Sequence, residues 1–206
     1  MKKFLLSLCF IFIFGGFAFS DVFVGLKYGI GETDTNVKKL GGGGPGSFEY
    51  DNKKSIYAAE LGFEVPVSPQ TSAAGLKFAY NMFGEVKTKD YKSADDFKNQ
   101  TYALPMTVYF KFKTSDVGLH FWGGAGITFA SMKSEGNLGG FLKTKTKNII
   151  FPHLSAGIEW RFAKFIGLGI DLGYNFNAKI ETRELFRQYK DLTGFQGILA
   201  ARFYFQ

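Results

Sequence analysis

The chain has 206 residues and a mass of 23.0 kDa, with 25 basic against 18 acidic side chains and a formal net charge of +7. It is rich in aromatic residues and glycine, with 25 Phe and 26 Gly, and poor in proline. The basic excess is spread along the chain without the clustered patch and recognition element of a nucleic-acid binder, and the single cysteine, Cys9, excludes a disulfide or thiolate-metal framework.

The first twenty residues carry a basic start at Lys2 and Lys3, an apolar run from Phe4 to Phe14, and small residues at Ala18 and Ser20. This is the layout of a secretory signal peptide cleaved after about Ser20. The run is broken by Gly15 and Gly16 and falls short of the roughly 20 apolar residues a spanning helix needs. Leu8 before Cys9 stands where a lipoprotein signal has a small residue. The expected organisation is therefore a signal peptide at 1–20 and one domain at 21–206.

From Asp21 onward, segments of about ten residues alternate between apolar and polar positions, the period of a strand. There are eight. DVFVGLKYGIG sets Val22, Val24, Leu26, Tyr28 and Ile30 against Gly25, Lys27 and Gly29. SIYAAELGFEV sets Tyr57, Leu61, Phe63 and Val65 against Glu60, Gly62 and Glu64. The third sets Leu76, Phe78, Tyr80 and Met82 against Lys77 and Asn81. TYALPMTVYFKF sets Leu104, Val108, Phe110 and Phe112 against Ala103, Thr107 and Lys111. The fifth, GLHFWGGAGITF, sets Leu119, Phe121, Ile127 and Phe129 against His120, Trp122 and Thr128. HLSAGIEWRF sets Leu154, Ile158, Trp160 and Phe162 against His153, Ser155, Glu159 and Arg161. IGLGIDLGYNF sets Ile166, Leu168, Ile170 and Leu172 against Asp171 and three glycines. The closing GILAARFYFQ sets Leu199, Ala201, Phe203 and Phe205 against Arg202. The stretch ETRELFRQYKDL reads as a loop or a short surface helix.

The connections decide which face is wet. Those near 32–54, 84–99, 130–148 and 177–193 are long and polar, whereas those at Pro66–Gln70, Lys113–Asp116 and Ala163–Phe165 are short. Strict alternation of long and short is the rule of outer-membrane barrels, with short turns on the periplasmic side and long loops outside. Nine ionisable residues share the glycine face: Lys27, Glu60, Glu64, Lys77, Lys111, Glu159, Arg161, Asp171 and Arg202. One Arg or Lys facing lipid at the midplane costs about 2–4 kcal/mol, so these groups are expected inside and the apolar face outside. Such a sheet must close, because an open edge in hydrocarbon leaves backbone groups unsatisfied. The expected fold is an all-β, eight-stranded antiparallel up-and-down transmembrane barrel. Tyr28, Tyr57, Tyr80, Tyr174 and Phe176 mark one interfacial aromatic girdle, and Phe112, Trp160, Phe162, Phe203 and Phe205 the other. The interior charges are expected to pair as a plug, Lys27 and Lys77 about Glu60, and Arg202 and Arg161 about Asp171, because buried charges persist when paired.

TYALPMTVYFKF, HFWGGAGITFA, HLSAGIEWRF, GLGIDLGYNF and the terminal LAARFYF together resemble the eight-stranded outer-membrane barrels that include the OmpA transmembrane domain and the opacity-type adhesins. The resemblance covers nearly all of 21–206. It implies the outer membrane of a Gram-negative cell, outer-membrane lipid and lipopolysaccharide as surroundings, and a monomer. It also implies an assembly signal for the barrel assembly machinery in the last strand, at Phe203 and Phe205, although Gln206 stands where the family ends in Phe. Function is expected in the loops: a structural or adhesin role, with Lys133, Lys143, Lys145 and Lys147 as a basic patch for lipopolysaccharide phosphates or an anionic host surface. The alternative is a narrow porin or a carrier of small hydrophobic molecules. A lipid A-modifying enzyme ranks below both. Lipid A deacylases carry a His-x-Ser pair like His153 and Ser155, but here the pair faces inward and no Glu follows at the spacing those enzymes use. No catalytic residue, metal site or cofactor is expected.

Overall fold

The computed structural model describes residues 21–31, 34–39, 50–52, 55–68, 70–88, 97–138, 141–182 and 186–205. The proposed signal peptide, the GGGGPG run and Gln206 lie outside them. Among the described residues twelve strands follow in order: β1 (Asp21–Gly31), β2 (Asp34–Lys39), β3 (Tyr50–Asn52), β4 (Ser55–Ser68), β5 (Ser72–Thr88), β6 (Phe97–Lys113), β7 (Gly118–Leu138), β8 (Phe141–Ala163), β9 (Ile166–Asn175), β10 (Lys179–Thr182), β11 (Phe186–Asp191) and β12 (Gly194–Phe205). Eight of them, β1, β4, β5, β6, β7, β8, β9 and β12, pair antiparallel each with the next, and β12 returns to β1. Each barrel strand thus has a neighbour on both sides, which is what hydrocarbon requires of a sheet.

The alternation read from the sequence is the alternation of the barrel wall. Leu26, Val108, Leu154, Trp160, Ile170 and Leu199 stand exposed on the outside, while all nine ionisable residues of the other phase are buried in the lumen. Rings gather at both rims: Tyr28 meets Tyr57 and Tyr174 meets Phe176 and Phe195 on the loop side, and Trp160 meets Phe162 on the turn side.

Two departures from the expected loops matter. Residues 130–138 and 141–148 continue as the ends of β7 and β8, paired without interruption to Leu138 and Phe141. Outward-facing residues on these strands change from Phe129 and Ile150 to Ser131, Lys133, Thr146 and Asn148, so the hairpin leaves the apolar belt and runs on into water. At 21 residues β7 is about twice the 9–11 that cross a bilayer. Within the stretch expected as loop or helix at 181–192, residues 181–182 and 186–191 are instead strand, since β10 and β11 pair with each other and β11 with β2 in a separate three-stranded sheet.

The luminal glycines make room for large interior side chains. A Cβ on Gly62 would stand 2.1 Å from Phe23 Cζ, and one on Gly157 2.5 Å from Trp122 Nε1. A Gly62→Ala substitution is therefore expected to cost about 1–3 kcal/mol through overpacking, read as a lower urea midpoint in lipid vesicles. Gly123→Ala, with nothing within 4 Å of its Cβ, is expected to leave the midpoint unchanged.

Candidate functional site: a charged lumen beneath an apolar cap

Among the described residues the lumen holds six cations, Lys27, Lys77, Lys111, Lys113, Arg161 and Arg202, against five carboxylates, Asp21, Glu60, Glu64, Glu159 and Asp171. β1, β4, β9 and β12 bring four of them into an alternating ring. Lys27 Nζ lies 2.5 Å from Glu60 Oε2 and 2.7 Å from Asp171 Oδ2. Arg202 donates from Nε to Glu60 Oε1 at 2.6 Å, from Nη2 to Asp171 Oδ2 at 2.5 Å, and from Nη1 to Glu159 Oε2 at 3.0 Å. Arginine suits this place because its rigid fork serves several carboxylates at once.

Toward the turn side a second layer follows. Lys111 pairs with Glu64, Arg161 Nη1 donates to Asp21 Oδ2 at 3.1 Å, and Lys113 lies 3.7 Å from the same oxygen. Tyr109 donates to Glu64 at 2.9 Å and Tyr204 to Glu159 at 2.7 Å. Tyr204 thereby satisfies Glu159 Oε1, a buried carboxylate oxygen with no other hydrogen bond, whereas Tyr109 shares Glu64 Oε1 with Lys111.

The structure differs from the sequence reading in three respects here. β4 and β5 pair two residues away from the register that would set Lys77 opposite Glu60, with Gly62 opposite Lys77 and Ala79 opposite Glu60. Lys77 consequently forms no ion pair with Glu60, and its nearest carboxylate oxygen is Asp171 Oδ2 at 3.9 Å. Arg161 sits with Asp21 and Glu159 rather than with Asp171. Not only the lipid side carries rings, since Phe23, Tyr109 and Tyr204 join Trp122, which the alternation already places inside, in a buried luminal cluster. Their sequence signal was the phase they occupy: Tyr204 lies between Phe203 and Phe205, and Tyr109 between Val108 and Phe110.

Above the charges, toward the loop side, lies a cavity of about 70 Å³. His153 stands at its wall with both ring nitrogens engaged, Nε2 by Thr107 Oγ1 and Nδ1 by Thr128 Oγ1, each at 2.9 Å. Ser155 Oγ has no hydrogen-bond partner. His153 is thus committed to two threonines, and it is not positioned to take a proton from Ser155.

Above the cavity, packed on Phe83, Phe151 and Ile198 of its wall, lies a cap that the sequence reading did not contain. Asn177, at a left-handed φ of 51° that Asn tolerates better than most residues, turns the chain from β9 inward. Ala178, Ile180 and Leu192 then pack with Ile56, Phe83, Met132, Phe151 and Ile198 into a buried apolar cluster. Asn175 Nδ2 donates to Leu192 O at 3.1 Å, and the amide of Ala178 to Thr193 Oγ1 at 2.9 Å, which ties the base of the cap to the barrel.

Lys190 in β11 is buried against this cluster, its ammonium 5.7 Å from the centre of the Phe83 ring and without a hydrogen-bond partner. Burial out of water lowers its pKa from 10.5 to about 8. The unfolded cap holds the proton up to a higher pH than the folded one, so cap stability is lowest below pH 8 and rises between about 8 and 10.5. Lys190→Met is expected to strengthen the cap at neutral pH and to abolish that rise. Amide exchange of β10 and β11, corrected for intrinsic rates, measures both.

The lysines of the β7–β8 hairpin divide between two phases. Lys143, Lys145 and Lys147 take alternate positions of β8, opposite Gly136, Ser134 and Met132, and Lys147 is exposed. Lys133 lies opposite Thr146 in the other phase and pairs with Glu135 at 2.5 Å. The register does not bring it into the row of three. Phe203 and Phe205 end β12 with their rings exposed on the outer face.

No protein-family model matches the chain, and no curated protein does. Solved structures do. The outer membrane protein OprG from Pseudomonas aeruginosa matches at a TM-score of 0.53 and 13% identity, over 90% of this chain and 96% of that one. The N-terminal β-barrel domain of Pseudomonas aeruginosa OprF matches at 0.49 and 11%, over 90% and 97%. Ail, the attachment invasion locus protein of Yersinia pestis, matches at 0.48 and 12%, over 90% and 98%. The closed eight-stranded wall, its apolar outer belt and the likeness to OprG together give this chain the fold of the small outer-membrane β-barrels.

Proposed function

We propose that the protein is a closed, monomeric outer-membrane surface protein, exported by residues 1–20, in which the barrel is an anchor and the loop side makes the contacts. The observation that carries this reading is the lumen, filled at one level by ion pairs and at another by the apolar cap. A conducting path would have to displace both, and the first cannot move cheaply because each separated charge is left unpaired in a dry interior. Among the described residues β7 and β8 are the longest strands, at 21 and 23 residues, and the row Lys143, Lys145 and Lys147 on their hairpin suits a polyanion, the phosphates of lipopolysaccharide or an anionic host surface. The exposed rings of Phe203 and Phe205 would serve the assembly machinery.

Planar-bilayer recording of the purified protein is expected to show no stable open channel, and a steady conductance would replace this reading with a narrow porin. Cells carrying the protein are expected to attach to an anionic host matrix several-fold better than cells carrying a variant with all three lysines changed to Gln. Equal attachment would remove the hairpin from the proposal.

A further inference from the structure

The loop-side half of β8 has a strand beside it on one edge only. β7 pairs with β8 without interruption from Gly118 opposite Arg161 to Leu138 opposite Phe141, whereas the ladder with β9 stops at His153, opposite Asn175. The cap is the reason. At Asn177 the chain leaves the wall and turns inward instead of climbing beside β8, and β10 then packs Ile180 against Phe151 in the lumen without forming a ladder with β8. Among the described residues no strand takes the place that β9 vacates.

The register says which backbone groups are left over. The Phe176 amide donates to Pro152 O at 3.0 Å, so the even-numbered residues of β8 turn their backbone groups toward β9 and the odd-numbered ones toward β7. Pro152 obeys this division, since a residue without an N–H fits where the β7 ladder needs none. Beyond it the same parity leaves the N–H and C=O of Leu142, Thr144, Thr146 and Asn148 on the open side. Thr144, Thr146 and Asn148 are exposed, and Lys143, Lys145 and Lys147 take the alternate positions between them.

An unpaired edge is a template for another strand, and main-chain hydrogen bonds to such an edge are one recurring way of binding an extended peptide. Charge selects the strand. A second copy of this chain laid edge to edge would set one lysine row against another, and like charges opposite each other are unfavourable. A strand with carboxylates at every second position would instead set each of them opposite a lysine. We infer that the open edge of β8, from Leu142 to Asn148, binds an extended acidic polypeptide segment as an added antiparallel strand with its carboxylates on the lysine face. This rests on the reading of the hairpin as the contact surface and narrows its partner to a polypeptide, because phosphates and sugars offer no matching row of amide donors and acceptors.

The probe is a capped, fluorescently labelled peptide of alternating Thr and Glu, about nine residues long to cover the free edge at about 3.4 Å per residue. Its binding to the full chain refolded in detergent is read by anisotropy. When its Glu residues stand opposite the lysines they fall in non-hydrogen-bonded pairs, so the Thr amides point at β8 and the Glu amides away. N-methylation of the Thr amides is therefore expected to weaken binding about tenfold or more, and N-methylation of the Glu amides to leave it unchanged. Thr144→Pro/Thr146→Pro removes two N–H groups from the open edge and none that faces β7. It is expected to weaken binding as much, while the amides of Lys143, Lys145 and Lys147 stay protected from exchange. Changing those three lysines to Gln is expected to weaken binding several-fold. If the two methylated peptides bind alike, charge alone holds them; strand addition is then overturned, and the hairpin remains a contact for polyanions such as lipopolysaccharide phosphates. If the triple Gln variant binds the peptide as tightly as the unaltered protein, the lysine row has no part in either reading. Should the proline variant lose its β7–β8 ladder, the two methylated peptides on the unaltered protein still decide the matter.

Discussion

Replacing Arg202 by Met is expected to destabilise the barrel by about 3–5 kcal/mol, the cost of breaking a buried ion pair from one side. Methionine keeps most of the stem and discards the guanidinium, so the wall stays filled while Glu60, Glu159 and Asp171 lose donors at 2.6, 3.0 and 2.5 Å. Lys27 continues to serve Glu60 and Asp171, and Tyr204 continues to serve Glu159, which keeps the loss from reaching the cost of three bare carboxylates. Arg202→Lys should fall between, because one ammonium does not span three acceptors. Adding Asp171→Asn to Arg202→Met should recover part of the loss, since the two side chains share one network and their effects do not add. Urea titration in phospholipid vesicles reads all three. A loss below about 1 kcal/mol for Arg202→Met, the range of a solvated pair, would show that water fills the lumen around these charges.

The second large effect is expected at the cap. Ile180 and Leu192 are completely buried in the apolar cluster, and truncation of such a side chain to Ala costs about 2–5 kcal/mol. The double variant Ile180→Ala/Leu192→Ala should therefore open the cap while leaving the ladders of β9 and β12 intact. Each 1.4 kcal/mol is about a tenfold change in the open population, so amide protection in β10 and β11 should fall at least a hundredfold. Protection in β12 should be unchanged, because its pairing with β1 and β9 does not depend on the cap. Equal loss in β12 would show that cap and barrel unfold as one unit. Conductance should stay absent in this variant as well, since the ring of Lys27, Glu60, Asp171 and Arg202 lies below the cap and remains paired.

The sequence reading carried further for the wall than for what fills it. Alternation at period two assigned each face because a wrong choice would put Lys27, Glu60 or Arg202 into hydrocarbon, a penalty large enough to decide the matter strand by strand. The cap was also foreshadowed, in stretches where both phases turn apolar together: Ile149-Ile150-Phe151, Met82-Phe83 and Ile198-Leu199. Runs of that kind mark a wall covered on both sides. They do not say what covers it, and the polar composition of 181–192 pointed to a loop or a short surface helix in water.

Composition, alternation and the rhythm of long and short connections by themselves determined an eight-stranded barrel with charges within and apolar side chains without, because hydrocarbon penalises every residue on the wrong face independently of its neighbours. Only the tertiary structure decided which charges meet, that Lys77 stands apart from Glu60, and that Ile180 and Leu192 close the mouth. Those outcomes depend on strand register and on contacts between residues far apart in the chain, and a slip of two positions keeps every side chain on its proper face while changing all of its partners.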